Sequence, residues 1–557
     1  KRNYAFVEYK DEARGKDAFG GNKCQHQLHD TADDVSKALG DLVKHKKLGD
    51  HDHGDDPGDE DEEDVETKTA EPVEKKTSAD EVADLSPEDK RKVRLSVGAT
   101  LVNDKRAVCG RLDISRLWVH FVADEPEHCG TEIDVNAGDV PRSKKRFWRW
   151  PTSRIDEVHR SRYRLQHVAV ELFLGDGGSV FLAFADVKTA KDVSLKICES
   201  RPRGDIVLMD RRKKLEAARR VQERWKNRQL STFEYLSSLN VLSGRTRNDL
   251  TQYPVFPWVL RDYTSSDIDL TNKNVYRDLS KPVGALEPKR LREFIERYEL
   301  LDSDPDANGE PPFHYGSHYS SQGSVLHFLL RLEPFTGLAR QLQGGRFDHA
   351  DRLFSSVAKT WDGCLRSTAD VKELTPEFYC LPEFLVNHDG HELGVAQDGV
   401  PVHDVVLPPW ANGSAHEFIR VMREALESEI VSTTIHEWVD LVFGTAQVGK
   451  EAARRHNVFH HLTYEGSVDL NAITDPTRRA AAEAHVMNFG QTPAQLFRKP
   501  HPKRAPPPVP APALRCAPGR FELVTVVEPR RHSGRQRGSV TTTNATTNDN
   551  SVAFIAV

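Results

Sequence analysis

Seven prolines stand within or immediately before apolar stretches between residues 254 and 409: Pro254, Pro257, Pro282, Pro334, Pro382, Pro408 and Pro409. Each removes a backbone donor and pushes the preceding residue out of the α region, so long regular helices are forbidden there and extended backbone is favoured. Extended chain outside a regular ladder must satisfy its amides elsewhere. Side chains must therefore hold this core together. In "TQYPVFPWVL" Tyr253, Phe256 and Trp258 offer large rings, each contributing roughly 1.5 to 3 kcal/mol when buried. Trp410 and Trp438 join them as candidates for the core or an interface. Asn248, Asp249, Arg277 and Asp278 are placed to bond the irregular backbone.

Residues 93–205 follow a different rule. "RLDISRLWVHFV" alternates around Leu117, Val119 and Phe121, and Gly175-Asp176-Gly177-Gly178 joins "VAVELFL" to "SVFLAF" as a hairpin turn. Val187, Ala190, Val193 and Ile197 then share one helical face. Several strands capped by one helix outline a small β-barrel or sandwich of the pleckstrin-homology kind. Its basic "RSKKRFWRW" could meet anionic lipid heads with Trp148 and Trp150 at the interface. Packing of both tryptophans on a neighbouring domain is the favoured reading, because the next domain follows closely. A basic helical connector over 206–230 leads to the region 231–502, where "HEFIRVMREALESEIV" and "TIHEWVDLVF" read as amphipathic helices. Phe418, Val421, Met422, Ala425 and Leu426 form the apolar face of the first.

A chain of 557 residues has room for three or four units. At 38% hydrophobic and 29% charged residues, solvated segments are expected between them. Residues 24–92 read as a disordered acidic linker and 503–557 as a proline-rich tether with the start of a further strand region. The net charge of −7 argues against a globally basic nucleic-acid binder. It averages an acidic run near residue 60 with basic stretches over 142–164 and 211–228. Within 1–23, Arg2, Tyr4, Ala5, Phe6, Val7 and Tyr9 resemble the central strand of an RNA-recognition domain, with Asn3 in place of the usual glycine. The other strands of that domain are missing from the chain, so RNA binding is the lesser reading. Seven scattered cysteines form no CxxC pair, which fits a reducing compartment. The apolar runs are shorter than the ~20 residues that cross a bilayer. A cytoplasmic protein, peripheral on internal membranes at most, is expected.

Chemical motifs are few. "DLVFGTAQVGKEAAR" places Gly444, Gly449 and Lys450 at the spacing of a phosphate loop, but a helix-like segment precedes it and Glu451 replaces the Ser or Thr that would hold magnesium. Gly444 is expected instead as a left-handed helix cap and Gly449 as the next turn. His314 and His318 lie four apart, yet Pro311, Pro312 and Gly316 argue against a shared helical face, and hydrogen-bonding roles are expected. "IHEWVD" offers His436 and Glu437 but Asp440 where a second histidine would complete a zinc pattern. Glu427 with Glu429, and Asp370 with Glu373, read as solvated or ion-paired carboxylates rather than acid and base. No Gly-x-Ser-x-Gly elbow occurs. No catalytic residue, metal or cofactor is assigned.

The blocks "TFEYLSSLNVLSGRTRNDLTQYPVFPWVL", "PPFHYGSHYSSQGSVLHFLLRLEPFT", "DVKELTPEFYCLPEFLVN", "ALESEIVSTTIHEWVDLVFG" and "NFGQTPAQLF", in that order across about 270 residues, resemble the BEACH-domain proteins of the beige and Chediak-Higashi class. Lys450 departs from the proline expected at that point of the family. The resemblance implies an α+β multidomain chain: a β-barrel PH-like domain packed on a mainly α-helical BEACH domain with irregular extended core segments, and disordered linker and tails. It further implies a non-catalytic scaffold in vesicle trafficking, lysosome or endosome biology or autophagy. Its partners would be proteins of those pathways, alongside an intramolecular PH–BEACH contact. The tail resembles the start of a WD40 region, and the proline-rich stretch resembles the long plant and autophagy-linked members.

Overall fold

The structure is a computed structural model that describes Asp89 and residues 91–103, 106–124, 146–201, 205–303, 311–467, 470 and 472–507. The RNA-recognition-like stretch, nearly all of the acidic linker, Arg142, Lys144 and Lys145 of the basic segment, and the carboxy-terminal strand region lie outside them.

Eight strands form one sheet: β1 (Leu95–Asn103), β2 (Arg106–Ile114), β3 (Trp118–Ala123), β4 (Phe147–Pro151), β5 (Ile155–Tyr163), β6 (Gln166–Leu174), β7 (Ser179–Ala183) and β8 (Val207–Met209). Their order is β4-β3-β2-β1-β7-β6-β5-β8. The ladder is open, which corrects the expected barrel. Closure would require β4 to pair with β5, but the chain passes between them through Pro151 and the 3-10 turn Thr152–Arg154. The outer edge of β5 is meanwhile occupied by β8, in parallel, with Val158 opposite Leu208. Helix α1 (Val187–Cys198) packs Ala190, Val193 and Ile197 on β5 and β6, and Asp186 caps it by accepting the Thr189 N–H at 2.8 Å. Val187, expected on the same buried face, is the first residue of the helix and is 41% exposed.

After the sheet come α2 (Arg211–Lys226), α3 (Thr232–Leu242), α4 (Pro288–Ser303), α5 (Gln322–Leu329), α6 (Phe335–Leu342), α7 (Val357–Arg366), α8 (Ala415–Glu427), α9 (Glu429–Phe443), α10 (Gly449–Arg454) and α11 (Pro476–Phe489). The stretch around Pro254 and Pro257 is extended and meets other chain through single bridges, Phe256 with Leu374 and Leu260 with Tyr276. Pro282, Pro382 and Pro409 instead cap or open short 3-10 turns and Pro334 caps α6, because proline fits the first turn of a helix as well as extended chain. Phe418, Val421, Met422, Ala425 and Leu426 are all buried along α8. Their helix stops at Ser428, whose side chain accepts the Val431 N–H and starts α9, so "ESEIV" belongs to two helices. The helical region shares one large core that includes Trp225, Trp258, Trp361, Phe378, Trp438 and Phe443, and the sheet keeps a separate one built on Leu112, Phe121, Val158 and Leu172.

Candidate interaction site

The two cores join at the tip of the β5–β6 hairpin. Tyr163 pairs with Gln166, so Arg164 and Leu165 make a two-residue turn, with φ of 50° and 63°. Such left-handed conformations at residues other than glycine cost on the order of 1 kcal/mol each and persist where surroundings fix them. Here the helical region does so. Gln491 Oε1 accepts the Leu165 N–H at 3.1 Å, and the Leu165 side chain is buried. Arg164 Nη1 donates to Glu483 on α11 at 2.8 Å.

Arg162, buried two residues before Arg164 in β5, donates from Nη1 to Glu465 at 3.0 Å and from Nη2 to the Thr492 carbonyl at 3.1 Å, while its own carbonyl accepts Gln252 Nε2 at 3.0 Å. Glu465 also bonds His167. That bond first, and the Arg162 charge after it, hold the Glu465 carboxyl down at about 2 against its own desolvation. Buried Glu171 of β6 accepts Thr246 Oγ1 at 2.7 Å and Asn248 Nδ2 at 3.2 Å, and burial raises its pKa all the same. Lys214 on α2 sends Nζ to the Arg160 carbonyl at 2.9 Å, and burial lowers its pKa to about 8. Arg245 ties the far side by donating to the carbonyls of Tyr253 and Gln491 at 2.9 and 2.8 Å. A seam built from buried polar groups that bond directed partners across it fixes orientation as well as contact.

The aromatic candidates lie elsewhere. Tyr253, Phe256, Trp258, Trp410 and Trp438 are buried in the helical core. Trp258 packs on Trp361 at 5.0 Å and donates Nε1–H to the Lys372 carbonyl at 3.0 Å, Tyr253 donates its hydroxyl to Glu377 at 3.0 Å, and Trp410 stacks on Phe418. Trp148 and Trp150 are half-buried on the sheet's own core, Trp148 with its ring 5.9 Å from Phe121, at the opposite sheet edge from β5 and β8. Among the described residues these two rings pack on the sheet's own core and not on the helical region, the neighbouring domain of the reading favoured from sequence. Of the four polar residues expected to bond the backbone, Asp249, Arg277 and Asp278 do. Asn248 instead reaches the sheet through Glu171 and through Ser179 at 2.7 Å. Arg162, Gln252, Gln491 and Thr492 were not singled out by sequence. Gly490 beside them could have been, since its φ of 88° and the nearby Ser320 carbonyl leave no place for a side chain.

The phosphate-loop spacing resolves into structure. Helix α9 precedes Gly444, α10 has six residues, and Glu451 pairs with Arg454 and Arg455. Gly444 is extended at φ −126°, which corrects the left-handed cap: a Cβ there would lie 2.5 Å from Asp440 Oδ1. Gly449 takes the positive φ instead, 73°. It lines an apolar recess of about 230 Å³ with Pro311, Pro312, Val448, Phe459 and Tyr464. Among the described residues no group of three His, Cys, Asp or Glu side chains is arranged to hold a metal. His318 Nδ1 lies against the Ser320 backbone and His314 stacks on Tyr298, while Glu437 pairs with Arg455 and Asp440 accepts the His501 N–H.

Residues 223–504 match the family model of the Beige/BEACH domain, and residues 99–198 match that of the PH domain associated with Beige/BEACH. The chain is 49% identical over 425 residues to BEACH domain-containing protein B of Arabidopsis thaliana, covering 73% of this chain and 16% of that protein. It is 47% identical over 369 residues to BEACH domain-containing protein A2 of the same plant, covering 64% of this chain and 10% of that protein.

Proposed function

The chain belongs to the BEACH-domain family, and from that premise we propose that it acts as a scaffold in vesicle trafficking, on endosomal, lysosomal or autophagic membranes, through protein–protein contacts of its PH–BEACH module. The family is of non-catalytic scaffold type, and its members interact with proteins. The observation that carries the proposal is the seam. Arg162, Glu171, Gln252 and Gln491 hold sheet and helical region at one fixed angle, so a partner meets a preformed composite surface and loses little to ordering on binding. In this reading the PH-like unit spans 93–205, the connector 206–230 and the BEACH unit 231–502. Among the described residues no helix is long and apolar enough to cross a membrane, so membrane association in this scheme is peripheral.

Proximity labelling in cells tests the proposal, comparing the chain with an Arg162→Glu variant expressed at the same level. The unmodified chain should enrich trafficking proteins of internal membranes, and the variant should lose a subset of them at least fivefold. Equal labelling by both, without enrichment of such proteins, would overturn the reading.

A further inference from the structure

Helix α2 carries eight Lys and Arg against two Glu. Lys214, Ala218 and Trp225 face inward. At 3.6 residues per turn, Lys213, Arg220 and Arg224 then share one outward flank about 16 Å long. All three are exposed, and among the described residues no carboxylate pairs with any of them. Arg212 and Lys226, on the other flank, pair with Glu216 and Glu223. The placement works against the helix itself. Its first turn holds Arg211, Arg212 and Lys213 at the positive end of the macrodipole with the N-cap Asp210, which accepts the Lys213 N–H at 2.9 Å, as the one carboxylate against three cations, and Arg220 and Arg224 repel at i,i+4. An anionic partner along this flank would relieve both conflicts.

The chain contains such a partner. Asp59, Glu60, Asp61, Glu62, Glu63 and Asp64 are six consecutive carboxylates, about 20 Å when extended. They lie outside the described residues, but the tether does have a described end: Asp89, which bonds Arg149 on β4 at 3.3 Å. The 25 residues from Asp64 to Asp89 can span up to ~85 Å. The eight-stranded sheet that separates β4 from α2 is only about 34 Å across.

We infer that residues 59–64 dock on the Lys213, Arg220 and Arg224 flank of α2. Tethering presents the acidic run at an effective concentration on the order of millimolar, so individually weak exposed pairs suffice. Salt screens the contact, and docking withholds the flank from other anions.

A water-soluble carbodiimide, which joins carboxylates to amines, tests this on the whole chain. Mass spectrometry of the monomeric product should find Lys213 coupled to residues 59–64. The yield should fall at least fivefold in about 0.5 M NaCl and in an Arg220→Gln, Arg224→Gln variant with unchanged melting. Coupling of the acidic run to Lys213 no stronger than to the exposed Lys188 and Lys191 of α1 would overturn the inference. Sedimentation with vesicles of phosphatidylcholine and phosphatidylserine separates the competing occupant. Vesicle binding that appears only when residues 59–64 are replaced by their amides supports docking. Binding by the unaltered chain that the double Gln variant loses assigns the flank to a membrane and overturns it.

Discussion

Arg277 and Glu373 form a two-pronged ion pair, Nη1 to Oε2 at 2.7 Å and Nη2 to Oε1 at 2.9 Å, with both side chains out of reach of solvent. The carboxylate also accepts the Trp258 backbone N–H at 3.1 Å and Trp438 Nε1–H at 3.0 Å. Four donors thus converge on one residue that joins α9 to two proline-marked segments. Desolvating two charges is costly, so the pair adds less to stability than its geometry suggests, but losing one member strands the other in an apolar core.

Glu373→Ala should accordingly destabilise the fold by about 3–5 kcal/mol, since it leaves Arg277 and two N–H groups unpaired. Urea unfolding followed by tryptophan fluorescence measures this. Adding Arg277→Met to Glu373→Met should recover part of the loss seen with Glu373→Met alone. A double variant no better than the sum of the singles would show that the pair is not a coupled unit.

At the seam, two arginines two residues apart should behave differently. Arg162 is buried against Glu465 and the Thr492 carbonyl, whereas Arg164 and Glu483 are each 27% exposed. Arg162→Ala is expected to cost about 2–4 kcal/mol and Arg164→Ala under about 1 kcal/mol. Hydrogen exchange distinguishes them: the first should accelerate exchange at the Leu165 amide and across 489–493, and the second should leave the latter protected. Equal protection in both would remove the seam as the element that fixes the hairpin.

Much of the helical core can be read from residue types, because proline and large aromatic rings act locally: Trp258 could hardly be anything but buried, and the stretch around Pro257 could not be helix. The α8 face from Phe418 to Leu426 was equally legible from its period. What escaped depended on distant partners. The open ladder turns on three residues of β8 taking the edge of β5, and neither segment announces the other. Arg162 and Gln491 are ordinary polar residues in sequence and become a seam only once 330 residues of chain bring Thr492 beside Arg162. Trp148 and Trp150 misled because an alternating β4 exposes Phe147 and Arg149 while turning both tryptophans onto the sheet's own core.

Gly444 and Lys450 separate structure from apparent motif. Gly444→Ala must displace Asp440, which accepts the His501 N–H at 3.0 Å, so a loss of at least about 2 kcal/mol is expected. Lys450 is exposed, and Lys450→Ala should change stability by less than about 0.5 kcal/mol. Neither chain should bind ATP or GTP. Millimolar or tighter affinity, abolished by Lys450→Ala and measured by calorimetry, would restore the phosphate-loop reading.

Acid should unfold the protein through its histidines before its carboxylates. Burial lowers the pKa of His314 to about 4, of His327 and His501 to about 3 and of His485 to about 2, and takes His318 well below the ordinary value. His485 also faces His460, 4.7 Å away ring to ring. Because the folded pKa lies below the unfolded one, near 6.5, these groups stay neutral in the fold while the unfolded chain takes up protons as pH falls. Stability is therefore complete above about pH 7.5 and is lost progressively as pH falls through about 6.5, by about 2 kcal/mol per histidine by about pH 5. Glu465, held at about 2 against an ordinary 4.5, begins to contribute to acid loss only below about pH 4.5. Melting temperature should hence fall steeply from pH 6.5 downward, and His485→Leu should reduce proton uptake on unfolding at about pH 5 by close to one. A melting temperature flat down to about pH 5 would mean that these imidazoles are not buried as neutral groups.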